Sequence, residues 1–387
     1  MIEDRLKTEL AAIAADGLTR RRRVLAAPCG PHAVVDGRPM LAFTSNDYLG
    51  LAAHPEIAEA MAEGARRWGA GSGASHLVSG HLAPHQELEE RLAAFTGFPR
   101  TLTFSTGYLA NLAVVPTLAG RGSAVFADKL NHASLIDAVQ LAKAQGAESH
   151  RYPHNDLATL ERQLAASEAA EKIIVTDAVF SMDGDLTPLP ELFELAERFD
   201  AWLVVDDAHG FGVLGRHGRG ALDHCGIPAH PRILLMGTLG KAAGVSGAFV
   251  AGSDIAIEYL IQRARTYIFT TAAPPAVACA LLKSLDIIAA GDDRRAHLTA
   301  LIRQLQDGLA GLPWQLLPSP TAIQPLVVGG NEDALRLSQA LAERGLWVPA
   351  IRPPTVPKGT ARLRISLSAA HREADVDQLI GALRELA

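Results

Sequence analysis

Cysteine is scarce in this chain. Cys29, Cys225 and Cys279 are odd in number and far apart, so they offer neither a disulfide framework nor a C-x-x-C metal pair. That usage fits a reducing compartment, and the cytoplasm is the expected location. Long apolar runs are lacking as well. No stretch reaches the roughly 20 residues of a membrane span, and Pro274-Pro275 interrupts the best candidate. The opening Met1-Ile2-Glu3-Asp4-Arg5 carries acids where a secretory signal has a basic start and then an apolar stretch. Nor is there an excess of positive charge. The 36 lysines and arginines against 42 aspartates and glutamates leave a net charge of −6, which gives no general attraction to nucleic acid or an anionic membrane.

Several motifs are missing too. Gly69-Ala70-Gly71-Ser72-Gly73 does not open a helix after a strand, so it is no dinucleotide fingerprint, and neither a P-loop nor H-E-x-x-H occurs. His81 and His85 share a helical spacing, but Pro84 lies between them and no third ligand is evident. No metal is therefore expected. The run Arg20-Arg21-Arg22-Arg23 is the one basic cluster. Without interleaved aromatics or a second cluster it does not read as a nucleic-acid patch. It reads as a solvated face near the end of an N-terminal helix, or as a place where one arginine meets an anionic substrate.

What is present is the composition of an ordinary globular protein. The 387 residues, 48% hydrophobic and 20% charged, suffice for two domains around a large core. Short apolar runs at 101–104, 124–127, 172–176, 203–206, 233–236 and 248–251 read as strands covered on both faces. Helical patterns at 86–95, 109–118, 134–145 and 189–199 lie between them. This alternation predicts an α/β fold with a mostly parallel sheet. After about residue 285 long amphipathic helices (294–309, 332–344, 373–386) flank strands at 324–328, 346–351 and 362–367, as in a smaller C-terminal α/β domain. Residues 1–50 read as an arm, with one helix and a strand pair turning at Asp36-Gly37. The expected division is 1–50, 51–285 and 286–387.

Chemistry concentrates in a few segments. In Leu234-Leu235-Met236-Gly237-Thr238-Leu239-Gly240-Lys241 an apolar strand runs into a small-residue turn that ends in a lone lysine. Gly237 and Gly240 leave space beside it, and Ala242–Gly247 brings no acid. A lysine held near apolar surface favours its neutral amine, the nucleophile of Schiff-base chemistry. Trp202-Leu203-Val204-Val205-Asp206-Asp207-Ala208-His209 delivers a carboxylate at a strand's carboxyl end, where open α/β sheets bind ligands. Pyridoxal 5′-phosphate (PLP) needs such a carboxylate at its pyridine nitrogen. Asp206 is the candidate, with His209 near the ring oxygen and Asp207 a turn or cap residue. The strand–turn–helix around Gly107 and Tyr108 suits a phosphate on free backbone N–H groups, with Thr238 as a second ligand. His132, ahead of a helix, is either a cap or a ring that stacks on the cofactor. Ser181 lies near the ring or in a turn.

Together Lys241, Asp206, His209, His132 and the Gly107 turn resemble the fold-type-I PLP-dependent transferases, and more narrowly the α-oxoamine synthases. The stretches that carry the resemblance include Ser45-Asn46-Asp47-Tyr48-Leu49-Gly50, Phe180-Ser181-Met182-Asp183-Gly184-Asp185 and Thr238-Leu239-Gly240-Lys241. It covers nearly the whole chain. It implies a large domain with a mostly parallel sheet, a smaller C-terminal domain, and condensation of an amino acid with an acyl thioester as carbon dioxide leaves. Ala350-Ile351-Arg352-Pro353-Pro354-Thr355 resembles members that join L-alanine to a pimeloyl thioester, pimeloyl-CoA or pimeloyl-acyl carrier protein, in biotin biosynthesis. Asn46, His132, Arg352 and Thr355 would then meet substrate, and Arg20 (or Arg21, one step along) the acyl chain. The resemblance also implies a homodimer in which Thr271 reaches the partner's cofactor phosphate. His76 receives no role. The rival readings are a synthase using glycine or serine, a PLP aminotransferase, and a scaffold that has lost its reaction.

Overall fold

The computed structural model describes residues 1–15 and 18–387. Its main sheet has seven strands in the spatial order Arg100–Phe104, Ala248–Gly252, Ile233–Thr238, Ala201–Asp206, Glu171–Asp177, Ser123–Asp128, Glu148–Tyr152. The last five of these run parallel, and Ala248–Gly252 is antiparallel to both its neighbours. The central strands are buried on both faces because side chains alternate between two cores. Val125, Ile173, Val204, Leu234 and Val250 pack with Val114 and Leu135 of the helices Gly107–Leu118 and Ala133–Ala144. Phe126, Ile174, Leu203, Leu235 and Phe249 face the other way, with Leu92, Leu192 and Leu285.

Six strands thus lie where the sequence puts them. The seventh, Glu148–Tyr152, carries no such signal because it is an edge strand of mostly polar residues, only one of them buried. The helices Pro55–Trp68 and Pro275–Ala290 were also missed, although each carries a proline in its first turn.

Two smaller sheets complete the fold. One is antiparallel, in the order Gln315–Leu316, Ile323–Gly329, Ala361–Ser366, Ala350–Ile351. The other joins the hairpin His32–Val35/Arg38–Ala42 to Leu346–Trp347. Asp36 (φ 49°) and Gly37 (φ 79°) form the hairpin's two-residue turn, where both positions require a left-handed backbone. The single strand expected over 346–351 is instead two short ones in different sheets. Pro349, which has no N–H for a ladder, stands at the break. Among the described residues no helix is long and apolar enough to cross a membrane.

Strand register brings the polar ends of the sheet together. Asp177 pairs with Asp206, and Asp206 with Met236, two residues before its strand ends at Thr238, so the carboxyl ends of three parallel strands lie side by side. Gly237 has a different role from the one expected. A Cβ there collides with the Phe249 ring, so the missing side chain makes room for the core and not for Lys241. Gly240 is clear, with its nearest contact 3.9 Å from a Cβ. Gly237→Ala should therefore cost about 1–3 kcal/mol by overpacking, read as a lower urea midpoint at unchanged slope. Gly240→Ala should stay within about 0.5 kcal/mol. Equal losses would sink this assignment.

Candidate active site

Lys241 is held in a tight turn by Leu239 N–H donating to Gly247 O and Gly244 N–H donating to Lys241 O, both at 2.8 Å. Its amine lies 2.8 Å from His209 Nε2, and His209 Nδ1 lies 2.6 Å from the Tyr48 hydroxyl. Tyr48 in turn donates to Asn46 Oδ1 at 3.1 Å. With that proton committed, Tyr48 accepts from His209 Nδ1–H, and Nε2 is left to accept from Lys241. Arg364 Nη2 donates to the same Asn46 oxygen at 3.2 Å. Burial drives His209 well below the usual imidazole range, and the positive charges of Lys241 and Arg364 add to it. Burial also brings Lys241 down to about 8, against the pull of Asp206 and Asp177. No acid lies in the lysine's own segment, as expected, but neighbouring strands supply two.

Asp206, the last residue of its strand and 3% exposed, accepts Asn111 Nδ2–H at 2.7 Å and Ala208 N–H at 2.9 Å. Asn111 also donates to Ser134 Oγ at 2.9 Å, while its buried Oδ1 has no partner among the described residues. Asp177 accepts His132 N–H at 2.6 Å. Burial, with the charge of Asp206 behind it, raises Asp177 well above the carboxylate range. His132 caps its helix, its Nδ1 lying 2.7 Å from Ser134 Oγ. Burial lowers the His132 pKa, Asp206 opposing and Lys241 assisting. Asp207 serves a turn, as expected, accepting Ala221 N–H at 2.9 Å.

The helix Gly107–Leu118 is capped by Thr106, whose Oγ1 accepts Leu109 N–H at 3.2 Å. Gly107 faces Met236 and the Thr238 hydroxyl. Thr238 Oγ1 itself donates to Gly247 O at 3.2 Å. Tyr108 is exposed and donates to Asp137. The Ser181 carbonyl accepts Arg364 Nε–H at 2.6 Å. Arg352 is half-buried just beyond Ala350–Ile351, and its carbonyl accepts Thr355 N–H at 3.1 Å. Arg20, Thr271 and Thr355 are exposed and make no bond to the Lys241 group.

Four residues here had no role in the sequence reading: Tyr48, Asn111, Asp177 and Arg364. Arg364 left one signal, since Arg362-Leu363-Arg364 puts two arginines on one face of a short strand. Both are buried, and Arg362 pairs with Asp183 of the Ser181 turn. His154 fastens the same turn, with Nδ1 3.2 Å from Asp128 and Nε2 2.8 Å from Asp185. Burial disfavours its charge, but hydrogen bonds to the two carboxylates prevail and push it up to about 10. His81 and His85 also differ from expectation, because a third histidine, His76, lies beside them.

The donor set suits a planar aldehyde that bears a basic ring nitrogen and a phosphate. It combines a largely desolvated amine, a buried carboxylate beside it, and a capped helix start whose first residue carries no Cβ. Fold and site together define the class as an α/β enzyme with a lysine-centred site at its strand ends. The family described as "Aminotransferase class I and II" matches residues 38–383. The 8-amino-7-oxononanoate synthase of Dechloromonas aromatica (strain RCB) is 75% identical over 387 residues, all of both chains. Among solved structures, Sphingomonas wittichii serine palmitoyltransferase superposes with a TM-score of 0.91 at 32% identity, covering 99% of this chain and 96% of that one. The 8-amino-7-oxononanoate synthase of Francisella tularensis gives 0.78 at 32%, covering 90% and 97%. The chain belongs to the class I and II aminotransferase family and, within it, to the 8-amino-7-oxononanoate synthases.

In cofactor-free protein, acylation of Lys241 followed by peptide mass spectrometry should titrate near pH 8. Asp206→Asn should lower that midpoint by removing a charge that favours the ammonium, and Arg364→Met should raise it. A midpoint near the ordinary 10.5, unmoved by either change, would refute the coupling. For His154 the folded value of about 10 exceeds the ordinary 6.5. Its stabilisation is therefore complete below pH 6.5 and lost as pH rises through 10. The stability gap between wild type and His154→Gln should shrink across that window in urea titrations; a constant gap would mean that the clamp is uncharged.

Proposed function

We propose that the chain condenses L-alanine with a pimeloyl thioester, on coenzyme A or acyl carrier protein, to give 8-amino-7-oxononanoate and carbon dioxide in biotin biosynthesis. The carrying observation is the desolvated Lys241 amine, 2.8 Å from His209, in a chain 75% identical throughout to a relative of that name. Pyridoxal 5′-phosphate, when bound, joins Lys241 through its aldehyde carbon and accepts the electron pair released at the amino acid's α-carbon.

The residues that hold the cofactor are, in this reading, Lys241, Asp206, His209, His132 and Ser181 around the ring. Gly107, Tyr108 and Thr238 take the phosphate, with Thr271 from a second copy of the chain. Asp206 keeps the ring nitrogen protonated, and Asn111 fixes the angle of its carboxylate. With alanine bound, the Lys241 amine would be the base that removes the α-proton. A value of about 8 leaves a working fraction of it neutral at physiological pH. His132 donates to the reacting carbonyl. Asn46, Arg352 and Thr355 meet substrate, with Arg352 taking the alanine carboxylate through two parallel bonds. Arg364, which is buried, is a second cation for it, because its own bonds go to neutral oxygens of Ser181, Ser366 and Asn46. Arg20 lies toward the acyl chain.

Serine-using synthases share the fold closely, so the donor is the point to test. Holoenzyme would be given equal L-alanine, glycine and L-serine with pimeloyl-CoA, and the products weighed by mass spectrometry. The expected outcome is one dominant product at the mass of 8-amino-7-oxononanoate, absent with Lys241→Ala. A glycine or serine product would move the chain to a sister activity. No condensation with either carrier would end the synthase reading.

A further inference from the structure

The histidines outside the reaction centre form a second constellation. A π-helical turn, His76–Gly80, folds His76 back over the start of the helix Ala83–Thr96. His76 Nδ1 then lies 2.8 Å from His81 Nδ1, and the His85 ring centroid is 5.2 Å from that of His76. One ring nitrogen from each histidine falls within 4.8 Å of the others. Two Nδ1 atoms that face each other share a single proton between two lone pairs, and a cation can take that proton's place.

The rings are also fixed from behind. His81 Nε2 lies 3.1 Å from Gln86 Oε1, which commits that nitrogen as the donor and leaves Nδ1 as the lone pair. His76 stacks on Tyr267 at 5.1 Å with only 11° between the planes. Burial, then the neighbouring rings, keep His76 neutral. Imidazole nitrogens without thiolates suit zinc, nickel or copper over the hard cations.

We propose that His76, His81 and His85 form a binding site for a divalent transition-metal ion of the zinc type, with water completing its coordination. Binding draws on His85, whose nitrogens are already engaged. Nδ1 accepts Leu82 N–H at 3.0 Å, and Nε2 donates to Ala273 O at 2.8 Å. The ion therefore exchanges one of these hydrogen bonds for a metal bond. The Ala273 bond belongs to the stretch that carries Thr271, which is also tied down by Ser72 Oγ–H to Ala272 O at 2.6 Å and Ala272 N–H to Ala74 O at 3.0 Å. Metal occupancy is in this way coupled to a segment assigned to the partner's cofactor.

Chelator-stripped holoenzyme titrated with Zn²⁺ against a chromophoric chelator should bind one ion per chain, and Co²⁺ should give the visible bands of a four-coordinate nitrogen site. His81→Ala and His76→Gln should weaken binding by more than the roughly 10–100-fold that losing an outer partner costs, with circular dichroism and cofactor absorbance unchanged. His150→Ala, at a half-buried histidine on the edge strand Glu148–Tyr152, should bind as wild type does. The proposal falls if wild type takes up no Zn²⁺, if Co²⁺ stays six-coordinate, or if the His76/His81 double variant binds as tightly as wild type.

Discussion

Burying the Lys241 amine is the constraint on which the rest of the structure depends. Taking an ammonium out of water favours its neutral form, and unchecked burial would carry the pKa several units down. Here it stops near 8 because Asp206 and Asp177 pull the other way. The carboxylates face the same difficulty. Asp177 is driven up by its own burial and by Asp206, and Asp206 is held by two N–H donors. Lys241 and Asp177 are therefore tied to each other and to Asp206, and removing Asp206 shifts both.

Backbone geometry makes this balance possible. Parallel strands in matched register end together, so Asp177, Asp206 and the turn after Thr238 meet without any long side chain having to reach. The chain segments behind them are bolted on by charge. Arg362 to Asp183 and His154 to Asp128 and Asp185 hold the Ser181 turn against the strand Ala361–Ser366 and the end of Ser123–Asp128. A buried ion pair adds little net stability. Losing one partner leaves a charge stranded, however, and that penalty keeps the turn in one position.

Lys241, Asp206 and His209 were legible because each sits where an apolar strand meets small or polar residues, a pattern visible in one dimension. Central strands showed for the same reason, since burial on both faces leaves an unbroken apolar run. The edge strand Glu148–Tyr152 did not show, because its burial is decided by a partner far away in sequence. Tyr48 and Asn111 were hidden likewise. Their meaning lies in contacts 161 and 95 residues distant. His76 was passed over because a π-turn, which no periodicity announced, brings it beside His81 and His85. Gly237 gave the opposite error. Its absent side chain was read toward the lysine although the neighbouring strand's Phe249 fills the space.

The choice of amino-acid donor belongs to a different scale from the fold. Serine palmitoyltransferase superposes with a TM-score of 0.91 at 32% identity, so the scaffold alone does not separate a methyl side chain from a hydroxymethyl one. One methylene in an apolar pocket discriminates by only about 1–3 kcal/mol, whereas a site built to bond a hydroxyl rejects its absence far more strongly. Preference for alanine over serine therefore needs no special partner. It needs only that nothing beside Lys241 be left to bond a hydroxyl. The polar groups nearest the amine are largely committed already, His209 to Lys241 and Tyr48, and Tyr48 to Asn46. In the proposed reaction, a serine hydroxyl that found no partner there would lose its water without replacement, and that loss would favour alanine.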